Sequence, residues 1–192
     1  METLHVELGT RAYPIHIGQD ILGELPAMIA SAEIQGTIAL VTDSTVNELY
    51  GTQVESLLQD AGHTVVRCVM PVGEANKRLP QVEAFIGEFL QGGLDRASLV
   101  VALGGGVVGD TAGYSAASFM RGIPFIQIPT TIVAQVDSSV GGKTGVNHAL
   151  GKNIIGAFHQ PEGVLIDMTL LRSLPPRELR AGLAVVIKHG VI

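Results

Sequence analysis

The sequence predicts an α/β fold, a doubly wound Rossmann-like parallel sheet with an N-terminal β-hairpin. Three observations predict it. Short runs dominated by Val, Ile and Leu recur at residues 37–42, 64–69, 98–103, 125–128 and 163–167. Stretches of 10 to 15 residues with helical apolar spacing separate most of these runs, and nearly continuous apolar strands alternating with helices imply a parallel sheet covered on both faces. Half of the 24 glycines of the 192-residue chain lie between positions 104 and 163, where they break the chain into turns beside the strand ends.

Each element follows in order. Leu4, Val6 and Leu8, then Tyr13, Ile15 and Ile17, alternate on either side of Gly9-Thr10-Arg11, which reads as an antiparallel hairpin. Asp20 stands where it can cap a helix running to about Ala30. The strand at 37–42 ends at Asp43-Ser44, and Val46, Leu49, Val54, Leu57 and Leu58 give near-helical spacing over 45–59. A strand over 64–69 leads into a polar loop over 71–77. A helix over 79–90, a strand over 98–103, a helix over 110–120 and a strand over 125–128 continue the alternation. Residues 137–158 read as a long Gly-rich segment without regular structure. A last strand covers 163–167, and a helix from about Pro175 continues to the end of the chain, where Val191-Ile192 shows no stop signal.

Composition excludes several classes. Eighteen acidic residues against 12 basic ones give a net charge of −6, and no segment clusters Lys and Arg, so a nucleic-acid partner is not expected. With 46% hydrophobic residues the chain has ample apolar surface to bury, which excludes disorder. Cys68 is the single cysteine, so neither an internal disulfide nor a cysteine metal knuckle is available, as suits a reducing compartment. No apolar run approaches the roughly 18 residues that span a bilayer, and the N-terminus lacks a basic start and apolar core. The expectation is a cytoplasmic protein with no membrane partner.

The sharpest local signal is Gly104-Gly105-Gly106-Val107-Val108-Gly109-Asp110, which satisfies G-x-G-x-x-G through Gly104, Gly106 and Gly109. Between a strand and a helix, such a turn can hold a pyrophosphate on backbone N–H groups; it can also be a tight βα turn alone. It follows the third strand of the parallel run rather than the first, unlike the usual dinucleotide fingerprint. Asp43 can bond a ribose or cap the following helix. Ligands of open α/β sheets lie outside the carboxyl ends of strands, where Asp43, the 71–77 loop, the glycine turn and Pro129-Thr130-Thr131 all fall.

Residues 137–144 look like a P-loop, but Asp137 occupies the place of its first Gly, so a Walker nucleotide site is rejected. The segment carries Asp137, Lys143, Asn147, His148, Lys152 and Asn153. Either it is a solvated loop, or its lysines serve as point charges for a phosphate or carboxylate. His148, His159 and His189 show no HxxxH-like pairing, so no complete metal site is visible.

Taken together, GEANK at 73–77, GGGVVGDTAGYSAASFMRGIPFIQIPTT, QVDSSVGGKTGVNHALGKNIIGAFHQP and LPPRELRAGLAVVIKHG resemble the 3-dehydroquinate synthase family of sugar-phosphate cyclases. The resemblance covers the whole chain but about half the family's length. It implies domains at 1–174, a Rossmann-like NAD-binding unit, and 175–192, the first helix of a truncated helical, metal-binding domain. The implied activity belongs to the shikimate pathway: 3-deoxy-D-arabino-heptulosonate 7-phosphate becomes 3-dehydroquinate and phosphate. It proceeds by oxidation, elimination, reduction and intramolecular aldol closure, with NAD recycled and a divalent metal, zinc or cobalt, in the full-length parent.

Carried onto this sequence, the implied NAD contacts are Asp43, Gly73, Glu74, Lys77, Gly105, Gly106, Val107, Val108, Gly109, Asp110, Thr130, Thr131, Lys143, Lys152, Leu170, Leu171, Arg172 and Ser173. The implied substrate contacts are Asp137, Lys143, Lys152, Asn153 and Lys188, with Arg121 reaching the substrate of a partner subunit in a homodimer. One position departs: Val185 stands where the family has a metal-binding Glu, and its other two ligands are histidines of the absent domain. The implied consequence is a chain without metal ligands, inactive alone. A related cyclase, a glycerol-type dehydrogenase, or a non-catalytic NAD-binding or dimerising module remain the alternatives.

Overall fold

The computed structural model describes residues 1–191. Strands β1 (Glu2–Val6) and β2 (Tyr13–Gly18) form the expected antiparallel hairpin. The chain then alternates between β3 (Ile38–Asp43), β4 (Val65–Met70), β5 (Leu99–Gly104), β6 (Phe125–Pro129) and β9 (Gly163–Asp167) and its helices. These strands make one seven-stranded sheet in the order β1-β2-β9-β6-β5-β3-β4, parallel throughout except for the β1–β2 pair. The expected α/β architecture is present.

Period-two alternation divides the two layers. Ile38, Leu40, Leu99, Val101 and Leu103 face α1 (Leu25–Ser31) and α3 (Thr52–Asp60), meeting Leu25, Ile29, Val54 and Leu58. Ala39, Val41, Val100 and Ala102 face α4 (Leu79–Gln91) and α5 (Gly106–Ser118), meeting Phe85, Phe89, Ala112 and Ala116. Each fully buried large side chain contributes roughly 1.5–3 kcal/mol, so the central strands anchor everything that follows.

The structure differs from the sequence reading at four places. Asp20 does not cap a helix: it sits at φ +54°, and α1 begins only at Leu25 after a 3₁₀ turn at Leu22–Glu24. The helix after β3 is three pieces, α2 (Ser44–Val46), a π turn at Asn47–Gly51, and α3. Helix α5 starts at Gly106, not Asp110, so the glycine turn is itself the first turn of the helix. The segment 137–158 is largely regular: β7 (Lys143–His148) and β8 (Gly151–Phe158) pair as a separate antiparallel hairpin. Gly normally weakens strands, which hides this one from a reading by pattern. Here Gly145 is required because a Cβ on it would lie 2.7 Å from the Ile155 carbonyl oxygen, and one on Gly156 would strike the Thr144 carbonyl.

Candidate functional site

Four adjacent strands deliver the site residues in a row along the sheet's carboxyl edge. Asp43 ends β3, Gly105 and Gly106 follow β5, Thr130 and Thr131 follow β6, and Leu170, Leu171, Arg172 and Ser173 follow β9 within a 3₁₀ segment at Met168–Ser173. Each position is fixed locally. Asp43 Oδ1 accepts from Val46 N at 2.9 Å, so the capping role is realised while Oδ2 remains an acceptor. Thr130 N donates to the Gly104 carbonyl at 2.9 Å, and Thr131 Oγ1 accepts from Ala134 N at 3.2 Å.

The glycines of the turn are packing requirements as well as openings. A Cβ on Gly104 would lie 2.7 Å from Val108, one on Gly106 2.9 Å from Ser138 Oγ, and one on Gly109 2.7 Å from Gln127 Oε1. Only residues without a side chain let α5 start this close to β6 and the following segment. The half-buried Val107 and buried Val108 fill the α4 side of the turn.

Behind the turn lies a charged network. Lys77 is only 4% exposed; its Nζ is ion-paired with Asp110 and donates to Asn153 Oδ1 at 2.6 Å. Asn147 Nδ2 donates to Glu74 Oε1 at 2.8 Å, and Asn147 Oδ1 accepts from Asn153 N at 2.9 Å. Gly73, at φ +112°, lets the chain turn into this loop. Burial pushes the Asp110 carboxyl above the usual carboxylate range; the Lys77 ammonium opposes this, and Glu74 adds to it. Neighbouring this network is a cavity of about 520 Å³ whose wall includes Asp110, Asp137, Lys143, Asn153, Ile154 and Phe158.

The structure thus places Asp110, Asp137, Lys143 and Asn153 on the wall of one cleft, with Lys77 bonded to Asp110 and Asn153 behind it and Glu74 joined to the same network through Asn147. Lys152 is exposed on β8, and Arg121 and Lys188 are exposed outside the cavity wall. Arg121 follows Met120 in a left-handed pair, φ +51° and +70°, a strained conformation for residues with side chains. Among the described residues no group of three His, Cys, Asp or Glu side chains is placed to hold a metal. Val185 is half-buried on α6 (Pro176–Val191) and offers no donor atom, so the metal implied by the resemblance does not fit this chain's residues.

Sequence reasoning missed two positioning residues. Asp167, buried at the end of β9, accepts from the backbone N–H groups of Asp20, Ile21, Leu22 and Thr169 and from Thr169 Oγ1. Burial pushes its carboxyl up, but the bonds from Thr169, Ile21 and Asp20 outweigh burial and hold it below the usual range. Tyr50 donates its hydroxyl to Ser173 Oγ at 2.8 Å, tying the 170–173 segment to the π turn after Asp43. An Asp closing an apolar strand was the available signal for Asp167; nothing local marked Tyr50.

A helix N-terminus at the carboxyl edge of a parallel sheet, beside a polar cleft, is the arrangement in which open α/β domains take ligands. A family profile described as 3-dehydroquinate synthase N-terminal matches residues 67–181. The chain belongs to the 3-dehydroquinate synthase family. It is 52% identical over 192 residues to the 3-dehydroquinate synthase of Desulforamulus reducens, covering all of this chain and 54% of that protein. Among solved structures it is similar to a 2-deoxy-scyllo-inosose synthase complexed with carbaglucose-6-phosphate, NAD⁺ and Co²⁺. The TM-score is 0.90 and the identity 28%, over 97% of this chain and 51% of that one. A 2-epi-5-epi-valiolone synthase from Streptomyces hygroscopicus with NAD⁺ and Zn²⁺ bound gives a TM-score of 0.81 at 32% identity, over 96% of this chain and 49% of that one. The chain spans about half the length of the curated relatives it matches. Among the described residues no helix is long and apolar enough to cross a membrane.

Proposed function

We propose that this chain is the cofactor-binding half of a cytoplasmic 3-dehydroquinate synthase, with residues 1–174 forming the NAD-binding unit and 175–192 beginning a second domain. The observation that carries the reading is the placing of Asp110, from the first turns of α5 and paired with the buried Lys77, and of the exposed Lys143 on the wall of one cleft. NAD⁺, when bound, supplies a reversible hydride acceptor. The chain's own residues orient it: Asp43 Oδ2 accepts from a ribose hydroxyl, the backbone N–H groups at Gly105 and Gly106 meet the pyrophosphate, and Glu74 and Lys77 border its far end.

Lys143, Lys152 and Asn153 bind the phosphorylated sugar-acid substrate, with Asp137 beside them and Lys188 approaching from α6. Arg121, presented by its left-handed turn, extends toward a second subunit in a homodimer. The 52% identity to 3-dehydroquinate synthase against 28% and 32% to the inosose and valiolone synthases supports this substrate over those of the related cyclases. With Val185 and no metal-ligand cluster among the described residues, this chain alone binds cofactor without turnover.

Isothermal titration with NAD⁺ tests the reading. The expected result is saturable one-to-one binding, weakened by at least about tenfold in Gly106→Val, whose side chain obstructs the turn. No binding, or equal binding by the variant, overturns it. Phosphate release from 3-deoxy-D-arabino-heptulosonate 7-phosphate by this chain would overturn the predicted inactivity.

A further inference from the structure

The two halves of the cleft are built on separate parts of the fold, and two side chains, Lys77 and Asn147, join them. Asn147 lies on β7 of the two-stranded hairpin, which also carries Lys143, Lys152 and Asn153. The 74–77 loop precedes α4 and is bound to the main sheet's helical layer through Lys77 and Asp110. Asn147 is 9% exposed and uses three of its polar atoms, two across this gap and one to its own hairpin. Its backbone N donates to the Lys77 carbonyl at 2.8 Å, Nδ2 donates to Glu74 Oε1 at 2.8 Å, and Oδ1 accepts from Asn153 N at 2.9 Å. Asn153 is held at φ +54° by this bond and by Lys77 Nζ on its side chain.

We infer that Asn147 is a positioning residue that couples the cofactor loop to the substrate hairpin. Asn fits where other residues do not, because both ends of its amide are used at once: a donor faces the carboxylate of Glu74 and an acceptor faces the Asn153 amide. An aspartate in its place would set a second carboxylate against Glu74, and a leucine would leave the part-buried Asn153 N–H without its acceptor. A ligand that orders Glu74 and Lys77 therefore also orders Asn153 and the start of β8. Occupancy of the cofactor side is transmitted to the substrate side before any substrate arrives. The inference rests on the proposed NAD site for its ligand and on the structure alone for its linkage.

Amide hydrogen exchange of this chain, with and without saturating NAD⁺, tests it. In the unsubstituted chain NAD⁺ is expected to slow exchange both at 74–77 and at 153–155. In Asn147→Asp the slowing is confined to 74–77, with exchange at 153–155 at least about tenfold faster than in the parent under NAD⁺. The reversed pair Glu74→Gln with Asn147→Asp restores the donor–acceptor match and the spread of protection, which a merely structural role would not. Glu74→Ala, at an exposed position, removes the acceptor without disturbing a buried residue and is expected to behave like Asn147→Asp. Spread of protection undiminished in both single variants, or no recovery in the reversed pair, overturns the inference. Absence of NAD⁺ binding defeats the cofactor reading instead; the linkage is then judged without ligand, where Asn147→Asp must speed exchange at 74–77 and 153–155 together, and acceleration of one segment only defeats it.

Discussion

Strand β9 and helix α6 are separated by a single 3₁₀ segment, yet they belong to opposite regimes. All five residues of β9 are buried, and its last residue, Asp167, organises five hydrogen bonds from two segments of the chain. Of the sixteen residues of α6 only Gly182 is buried, while Leu183, Val186, Ile187 and Val191 face outward, Val191 at 81%. Composition does not separate the two, since both are rich in apolar residues. Partner layers do: β9 lies between β2 and β6, whereas α6 buries only one closely packed glycine, with Leu179 and Val185 half-covered beside it. Stability should therefore be concentrated in the sheet and its staples, and α6 should be separable from it.

The largest test of that contrast is Asp167→Ala. It orphans the buried N–H groups of Ile21 and Leu22 and frees Thr169, and each unsatisfied buried donor costs about 1–3 kcal/mol. The expected loss is about 4 kcal/mol in urea unfolding at pH 7. Sign matters for its pH dependence: a carboxyl with a lowered folded pKa contributes stability above its unfolded pKa and loses it as pH falls through the folded value. Acid should thus erase most of the difference between Asp167→Ala and the parent. A loss under about 1 kcal/mol at neutral pH would mean that the staple is decorative.

Next in size is the Lys77–Asp110 pair. Asp110 has its folded pKa raised, burial being the main cause, so the folded state binds the extra proton between the ordinary carboxylate pKa and the raised value. Stability from this group falls as pH rises through that window, the reverse of Asp167. Lys77→Met should lower stability by about 2 kcal/mol at pH 7 by leaving the carboxylate without its ion pair, and by less as pH falls through the raised pKa and the acid takes up its proton. A pH-independent loss would show that Lys77 acts through its apolar stem instead.

How much of this contrast is legible in the sequence depends on whether a signal is local. The strands of the central sheet are legible because each is a short apolar run; β9 is bounded to the residue. The glycine turn is legible as a turn, but the sequence places the α5 start four residues late, because Gly106 to Gly109 have poor helix propensity and tertiary packing against Gln127 and Ser138 overrides it. The β7–β8 hairpin escapes because its glycines answer cross-strand crowding rather than alternation. The cleft residues are named from resemblance and from their strand-end positions. Asn147 stands among the polar residues without a role, since its partners Glu74 and Asn153 lie 73 positions before it and 6 after it, and no spacing rule joins them.

Gly182→Ala addresses α6 directly. The added methyl strikes Ile132 Cγ2, so the helix must leave its seat, although alanine favours helix by up to about 1 kcal/mol over glycine. Trypsin should then cut faster at Arg177 and Arg180, while the unfolding free energy of the sheet and its layers, read by urea, changes by no more than about 0.5 kcal/mol. A cooperative loss of the whole fold would show that α6 is an integral layer and that the contrast with β9 is false.

The smallest expected effect is the most pointed. Val185→Glu places a carboxylate on α6 three residues before Lys188, and the i,i+3 pair adds only about 0.2–0.5 kcal/mol of helix stability. It should add almost nothing toward metal. Catalytic zinc sites take three protein ligands, and no set of three candidates converges among the described residues; one carboxylate by itself leaves an added ion mostly hydrated. Titration of the variant with Co²⁺ should show the weak spectrum of the aquated ion, without the intense bands of a tetrahedral centre. Intense bands would reveal ligands that the geometry does not show, and α6 would then be part of a preformed site rather than a lightly seated helix.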